Sequence, residues 1–366
     1  MSVAFGYKAT TTHIRLLSLF VLQARIACLP VRHSVYNQSI MWPIHPLSAF
    51  TLGLALTTAS SASPVKAQGG APWLAINSNF PDPSFVRGGD GLWYAFGTNG
   101  NGKRVQVAVS HDFVSWDLLD IEALPQLAPW ETEIDHWAPD VIQRDDGRYV
   151  MYYSGEAKEM VRHHCVGVAV SKDTDPRGPY IPNPEPLSCR LDQGGSIDPS
   201  GFLDKDGTRY VVFKVDGNSI GNGGDCNNGI APLKPTPILL QPVAPDGFTP
   251  VGEAVQILDR DDADGPLVEA PNLILHGDTY FLFYSTHCFT DPRYDVRYAT
   301  SKSITGPYVK TGAKLLQSGN FGLTSPGGGT VCGCGDRILF HGFCGTDTRC
   351  TYAANLSIEG DRVVLV

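Results

Sequence analysis

Short apolar runs alternate with glycine-containing turns along most of this chain. From residue 83 onward, β-branched and aromatic residues form these runs, and Asp-Gly or Gly-rich turns separate them. Asp-Gly turns favour β-hairpins because glycine tolerates positive φ where other residues do not. Helical periodicity of any length is absent. The pattern therefore predicts an all-β chain built from hairpins.

The hairpins recur as five similar units. Each unit has a proline near its start, a short β-run, a turn glycine and an aromatic-rich β-run. The turn glycines, at steps of 56, 60, 70 and 58 residues, are Gly91, Gly147, Gly207, Gly277 and Gly335. A second hairpin follows three of the units, at 107–116, 168–180 and 298–308. Two hairpins make a four-stranded blade, so the repeat predicts a five-bladed β-propeller over residues 68–366.

A β-sandwich with a similar number of strands is the alternative, and the regular repeat argues against it. The 70-residue step leaves residues 218–264 as an insertion rich in Gly, Pro and Asn. We expect this insertion to be a loop on the rim of the ring. The aromatic runs at 149–153 and 280–284 are expected to form blade core.

The first 67 residues indicate a leader that precedes the fold. They contain no acidic residue, and their apolar run at 46–59 is too short to span a bilayer. We expect a secretory signal peptide at 41–67, cleaved within 59–67. Residues 1–40 fit an extended start, a gene-model artefact or a transit-like segment. A membrane anchor at 14–22 is disfavoured because Arg15 and Arg25 bracket it closely.

The charge of the chain limits its partners. The formal net charge is −9, and beyond the basic leader it reaches −14. An acidic surface disfavours nucleic acid and anionic membranes, which both require clustered Lys and Arg. We therefore expect a secreted, extracellular monomer that acts on a neutral substrate.

Nine cysteines support an oxidising compartment. Cys28 would leave with the leader, and eight remain: Cys165, Cys189, Cys226, Cys288, Cys332, Cys334, Cys344 and Cys350. An even number in a secreted chain predicts disulfides, although the connectivity stays open. A zinc site built from the last four is the alternative, and local disulfides are favoured in this Gly-rich strand pair.

Three acidic residues beside prolines carry the candidate chemistry: Asp82, Asp198 and Glu269. They lie at the starts of predicted inner strands, which surround the axis of a propeller, so we expect them to share one funnel. Hydrolysis of a glycosidic bond requires a carboxylic acid and a carboxylate base. A third carboxylate can keep the acid protonated by repulsion. Asp140 follows Pro139 in the same frame, and we expect it to be structural.

Five motifs in order resemble glycoside hydrolase family 43. They are Asn79-Phe80-Pro81-Asp82-Pro83-Ser84, His136-Trp137-Ala138-Pro139-Asp140-Val141, Ser196-Ile197-Asp198-Pro199-Ser200-Gly201, Val268-Glu269-Ala270-Pro271 and Gly306-Pro307-Tyr308. The resemblance covers residues 73–360 and implies inverting hydrolysis of arabinose- or xylose-containing polysaccharides. It implies that Asp82 is the general base, Glu269 the general acid and Asp198 a modulator that also orients the acid.

One position departs from the family pattern. Many members have a histidine in the fifth unit that helps to hold a metal ion or waters in the pore, and this chain has Gly328 there. A pore calcium ion is therefore doubtful, and we expect no required cofactor and no metal site. His341 either compensates or is a core histidine, and the second reading is favoured.

Three further residues are candidates for substrate contact. Trp137 could stack on a sugar face, Phe80 adjoins the base, and His287 follows an inner hairpin; blade core is the alternative for each. Two other functions remain open. A β-fructosidase-like retaining enzyme would carry Arg-Asp-Pro and Glu-Cys, where this chain has Ile197-Asp198-Pro199 and Glu269-Ala270. A catalytically silent polysaccharide-binding propeller would not need all three acids.

Overall fold

The computed structural model describes residues 70–366. The predicted leader, its cleavage site and Cys28 lie outside this range. The described chain is an all-β, five-bladed propeller, as the repeat predicts. Within this range no helix is long and apolar enough to cross a membrane.

Strand β1 (Trp73–Ile76) comes first and belongs to the last blade. Blade 1 contains β2 (Ser84–Arg87), β3 (Trp93–Gly97), β4 (Gln106–Ser110) and β5 (Asp117–Leu119). Blade 2 contains β6 (Glu131–Gln143), β7 (Tyr149–Ala157), β8 (His164–Ser171) and β9 (Tyr180–Pro182). Blade 3 contains β10 (Ser196–Leu203), β11 (Arg209–Val215), β12 (Ile238–Val243) and β13 (Val255–Leu258).

Blade 4 contains β14 (Val268–His276), β15 (Thr279–Thr286), β16 (Asp295–Ser301) and β17 (Val309–Gln317). Blade 5 contains β18 (Gly327–Val331), β19 (Arg337–Phe343) and β20 (Arg349–Glu359), with β1 and β21 (Arg362–Leu365) both paired to β20. Short 3₁₀ helices occupy Leu191–Gln193, Gly217–Ile220, Asp225–Asn227, Asp262–Asp264 and Asn320–Gly322.

The ring closes through strand pairing between distant parts of the chain. Strand β1 pairs antiparallel with β20, where Trp73 faces Ala353 and Leu74 faces Tyr352. The inner strands β2, β6, β10, β14 and β18 contact one another in turn, and β18 contacts β2. Each blade therefore packs against two neighbours, and the propeller has no open end.

Aromatic and β-branched side chains fill the space between blades. The two runs predicted as blade core are buried, including Tyr149, Tyr152 and Tyr153 in β7 and Phe281 and Phe283 in β15. Because these strands are covered on both faces, they are apolar at consecutive positions without alternation.

The expectation that 218–264 is only a rim loop is wrong in part. Strands β12 and β13 lie inside this segment and complete blade 3. The rest of the segment is irregular: its first part, where two 3₁₀ helices lie, the β12–β13 connection at 244–254, and the stretch before β14. The prolines and glycines that suggested loop are concentrated there, and they concealed the two outer strands.

Three disulfides join described cysteines. They are Cys165–Cys189, Cys226–Cys288 and Cys344–Cys350. The last pair confirms a local disulfide and removes two ligands from the alternative zinc site. Cys332 is a free thiol that donates a hydrogen bond to Asp336 Oδ1 at 2.9 Å, so the pairing predicted for all eight cysteines fails at this residue.

Candidate active site

A residue with positive φ recurs at the equivalent point of all five inner-strand segments, in or just before the strand. The equivalent residues and their φ angles are Asp82 (53°), Ala138 (43°), Asp198 (54°), Ala270 (51°) and Gly328 (57°). In blades 2 to 5 the strand register slips at this point. Non-glycine residues adopt positive φ only where surrounding structure enforces it, and such strain is concentrated at functional sites.

This equivalence corrects the matching of the three acids. Asp82 and Asp198 occupy the same position of their blades, whereas Ala270 occupies it in blade 4 and Glu269 lies one residue earlier. The spacing to proline contains this information, because Asp82 and Asp198 directly precede proline and Glu269 does not. The acids therefore reach the site from two different backbone positions.

All five inner strands line one cavity on the axis of the ring. Its walls come from Asp82, Ser84, Ala138, Pro139, Asp140, Asp198, Pro199, Ser200, Ala270, Pro271, Gly328, Gly329 and Thr330. Asp82 and Asp198 thus share this funnel, as predicted. Glu269 adjoins it through Ala270.

Asp82 is held as an anion by its neighbours. Its Oδ1 lies 3.3 Å from Arg349 Nη1 and its Oδ2 accepts a hydrogen bond from Thr98 Oγ1 at 2.6 Å. Burial alone would raise the pKa of Asp82, but the Arg349 guanidinium, the His341 imidazole and the Thr98 hydroxyl outweigh it and hold this pKa well below its usual range. Asp82 is therefore ionised at neutral pH, which is the protonation state that a general base requires.

His341 fills the space left by the glycine in blade 5. A Cβ on Gly328 would lie 2.7 Å from His341 Nδ1 and 3.0 Å from Asp82 Oδ1. The imidazole is fully buried, and its Nδ1 accepts the backbone N–H of Asp82 at 3.1 Å. His341 therefore contacts the predicted base, unlike a core histidine remote from the site.

The two residues at this position differ in what they could offer a pore metal. Gly328 has no ligand atom. His341 Nδ1 lies 3.1 Å from both the backbone N and Oδ1 of Asp82, whereas its Nε2 is buried without a hydrogen-bond partner in the described part of the chain. Among residues 70–366, the one group with three candidate ligand atoms close together is Cys332, Cys334 and Asp336, next to the β18–β19 turn.

Glu269 lies between a lysine and a tyrosine. Its Oε2 is 3.0 Å from Lys214 Nζ, and its Oε1 accepts a hydrogen bond from Tyr294 at 2.9 Å. The Tyr294 ring stacks on His341 with centroids 5.8 Å apart. Asp82, His341, Tyr294 and Glu269 therefore form one continuous set of contacts, which places the predicted base and acid at the same site.

Asp198 supports the segment that carries the acid. Its Oδ2 accepts the backbone N–H of Ala270 at 2.9 Å, and its own N–H donates to Ser154 Oγ at 3.0 Å. Burial, and next the charge of Glu269, raise the pKa of Asp198 to about 8. Asp198 therefore retains its proton near neutral pH.

Asp140 links two blades below the acids. Its Oδ2 accepts the backbone N–H of Gly201 at 2.7 Å, and burial raises its pKa to about 6. In blade 4, Asn272 makes the equivalent contact, since its Oδ1 accepts the N–H of Val331 at 2.9 Å. Both side chains fasten neighbouring inner strands, which agrees with the structural role expected for Asp140.

A family model for glycosyl hydrolases family 43 matches residues 75–359. The chain belongs to glycosyl hydrolase family 43. It is a glycoside hydrolase, and the class of its substrates is polysaccharides or oligosaccharides.

Several curated members resemble this family 43 chain. It is 28% identical over 317 residues to extracellular endo-α-(1→5)-L-arabinanase 1 of Bacillus subtilis, covering 82% of this chain and 89% of that protein. It is 28% identical over 308 residues to the extracellular exo-α-(1→5)-L-arabinofuranosidase ArbA of Cellvibrio japonicus, covering 80% and 79%.

Solved structures share the fold. A thermostable family-43 glycoside hydrolase superposes with a TM-score of 0.67 at 23% identity, covering 80% of this chain and 95% of that one. A GH43 endo-arabinanase from Bacillus licheniformis gives 0.60 at 26% identity, covering 79% and 98%.

The three residues expected to contact substrate lie in different surroundings. Trp137 is half-buried and stacks on His164 with centroids 3.7 Å apart. Phe80 is fully buried in blade core against Gly97, so its ring has no surface to offer a sugar. His287 is largely buried, and its Nδ1 lies 2.8 Å from Thr286 Oγ1. Of the three, Trp137 keeps the accessible position beside the cavity.

The sequence reasoning missed four residues that this family 43 site uses. They are Thr98, Lys214, Tyr294 and Arg349. The sequence indicates one of them, because Lys214 is a charged residue within an otherwise apolar strand. Thr98 follows β3 and Tyr294 precedes β16, within 16 and 25 residues of the acids they contact. Arg349 on β20 is 267 residues from Asp82, and no local pattern indicates any of these three contacts.

Proposed function

We propose that this protein is a secreted hydrolase of α-L-arabinofuranosyl linkages in arabinan, acting with inversion of configuration. The side chains of arabinoxylan and xylan are the other substrates that we consider beside arabinan. The similarity to an arabinanase and an arabinofuranosidase supports arabinan as the substrate, and the extracellular location of both relatives supports secretion.

The placement of the three acids carries the proposal. Asp82 is kept ionised, while Asp198, whose pKa is raised, lines the same funnel and accepts the N–H of the segment that carries Glu269. An inverting hydrolase requires a base and an acid at one site, and here Asp82 would deprotonate the attacking water while Glu269 would protonate the leaving oxygen. Asp198 would orient Glu269 through the Ala270 N–H.

The test combines substrate profile with stereochemistry. Purified protein is incubated with arabinan, arabinoxylan, xylan and aryl pentosides, and NMR follows the anomer first released. We expect activity on arabinan and release of the inverted anomer. The retained anomer would favour the β-fructosidase-like mechanism, and an absence of hydrolysis on every substrate would favour a silent binding propeller.

Two substitutions test the roles of the acids. Asp82→Asn and Glu269→Gln should each lower kcat by about 10²–10⁴-fold, because acid or base assistance contributes about that much. Circular dichroism and melting temperature serve as controls for folding. Near wild-type turnover by either variant would refute its role.

A further inference from the structure

Lys214 is a buried cation whose contacts the proposed reaction leaves unexplained. It lies on β11 with its side chain fully buried, and Nζ is 3.0 Å from both Asp216 Oδ1 and Glu269 Oε2. Lysine is rarely buried without a partner, and Asp216 alone would neutralise it. The second contact, to the predicted general acid, therefore requires its own reason.

Charged and titratable groups surround this lysine and its partner from several strands. They are Asp198 on β10, Asp216 after β11, Tyr294 before β16 and His341 on β19, with Asp82 facing Asp198 and His164 facing Asp216. Burial would lower the pKa of Lys214, but Asp216, Glu269 and Asp198 raise it well above its usual range. The lysine stays cationic throughout the working range of the enzyme.

We propose that Lys214 is a positioning residue for the general acid, whose ammonium stabilises the carboxylate that Glu269 becomes as its proton leaves. This inference rests on the proposed function. In that step the Glu269 proton passes to the glycosidic oxygen, which takes both electrons of the breaking C–O bond. The water oxygen bonds to the sugar carbon and gives its proton to Asp82.

The geometry suits this role because both acid oxygens are fixed. Lys214 contacts Oε2 and the Tyr294 hydroxyl donates to Oε1, so the developing charge is met by one cation and one hydrogen bond. A preformed cation costs no reorganisation at the moment of proton transfer. Without it, the charge that develops on Glu269 would be met by the Tyr294 hydrogen bond alone, and leaving groups that need protonation would depart more slowly.

The test compares leaving groups in a Lys214→Met variant. A phenyl α-L-arabinofuranoside needs protonation of its leaving oxygen, whereas a dinitrophenyl one leaves without it. We expect kcat to fall about 10- to 100-fold on the phenyl substrate and less than about threefold on the dinitrophenyl substrate. The basic limb of the pH–rate profile should move to higher pH, because the charge of Lys214 lowers the pKa of Asp198.

Two further variants separate this role from folding. Lys214→Met with Asp216→Asn removes the unpaired buried carboxylate that the single substitution leaves, and it should show the same dependence on leaving group. Arg209→Met is the matched control. Arg209 is also buried on β11, 2.6 Å from Asp145, and its loss should lower stability without changing the leaving-group ratio or the pH profile.

The outcomes distinguish this inference from the proposed function. Equal losses on both substrates in the double variant, or an unshifted basic limb, would show a purely structural lysine and overturn the inference. Glu269→Gln is measured in parallel. If that variant shows no preference for the activated substrate, Glu269 is not the acid and the proposed function fails first.

Discussion

At Asp198 a carboxyl group is enclosed by protein and faces a second acid. Replacing it with Asn removes a group that can ionise next to Glu269, while an amide oxygen can still accept the Ala270 N–H. The remaining acid would then release its proton more readily. We expect the basic limb of the pH–rate profile to move to lower pH, opposite to the shift for Lys214→Met. An unchanged profile would remove the modulator role.

The same substitution has a consequence for stability. Because the pKa of Asp198 is raised from 3.8 to about 8, the folded state holds the proton more tightly than the unfolded state. This group's contribution is therefore fully present below pH 3.8 and is lost as pH rises towards 8. Asn cannot ionise, so Asp198→Asn should be more stable than wild type at pH 8.

Calorimetry at two pH values checks this expectation. The gain in melting temperature should be clear at pH 8 and small near pH 4, where the wild-type carboxyl is protonated in both states. A gain of equal size at both values would point to packing and contradict the account. The gain in stability of Asp198→Asn over wild type at pH 8 would measure the stability that the catalytic carboxyl group costs the enzyme.

Among the elements, the irregular segment of blade 3 is tied to blade 4 near the acid. Cys226 of its second 3₁₀ helix is bonded to Cys288, two residues after β15, across 62 residues of chain. The Cys344–Cys350 disulfide joins cysteines that are only 6 residues apart in sequence. Cross-links that close longer loops restrict the unfolded chain more.

Paired Cys→Ser substitutions compare the two bonds. Removing Cys226–Cys288 should lower the free energy of unfolding by about 4 kcal/mol, and removing Cys344–Cys350 by about 2 kcal/mol. Guanidinium unfolding under non-reducing conditions measures both. Equal losses would mean that native contacts around each bond, and not chain entropy, decide its contribution.

Local signals at this scale predicted most strands. The Asp-Gly turns at Gly91, Gly147 and Gly207 connect the first two strands of their blades, because positive φ is a purely local requirement. Strands β12 and β13 were not predicted, because the proline and glycine residues around them are typical of loops. The one-residue offset of Glu269 was likewise visible only as a difference in spacing to proline.

At the scale of the whole molecule, the sequence predicts the five-bladed propeller but not the strand pairing that closes it. Five repeats at similar spacing leave few architectures other than a propeller. The pairing of β1 with β20 joins residues nearly 280 positions apart. The sequence pattern of β1 does not predict this partner strand. The contact of Arg349 with Asp82 depends on the same closure, since it joins blade 5 to blade 1 across 267 positions.

The pairing of β1 and β21 to the same strand brings Gly70 and Val366, the two ends of the described range, close together. A Cβ on Gly70 would lie 4.0 Å from the carbonyl carbon of Val366. In a variant that begins at Gly70, a few residues joining these two positions would complete a continuous loop of peptide. The chain could then be cut at the exposed turn between Asp206 and Gly207, giving a circular permutant that keeps all five sheets.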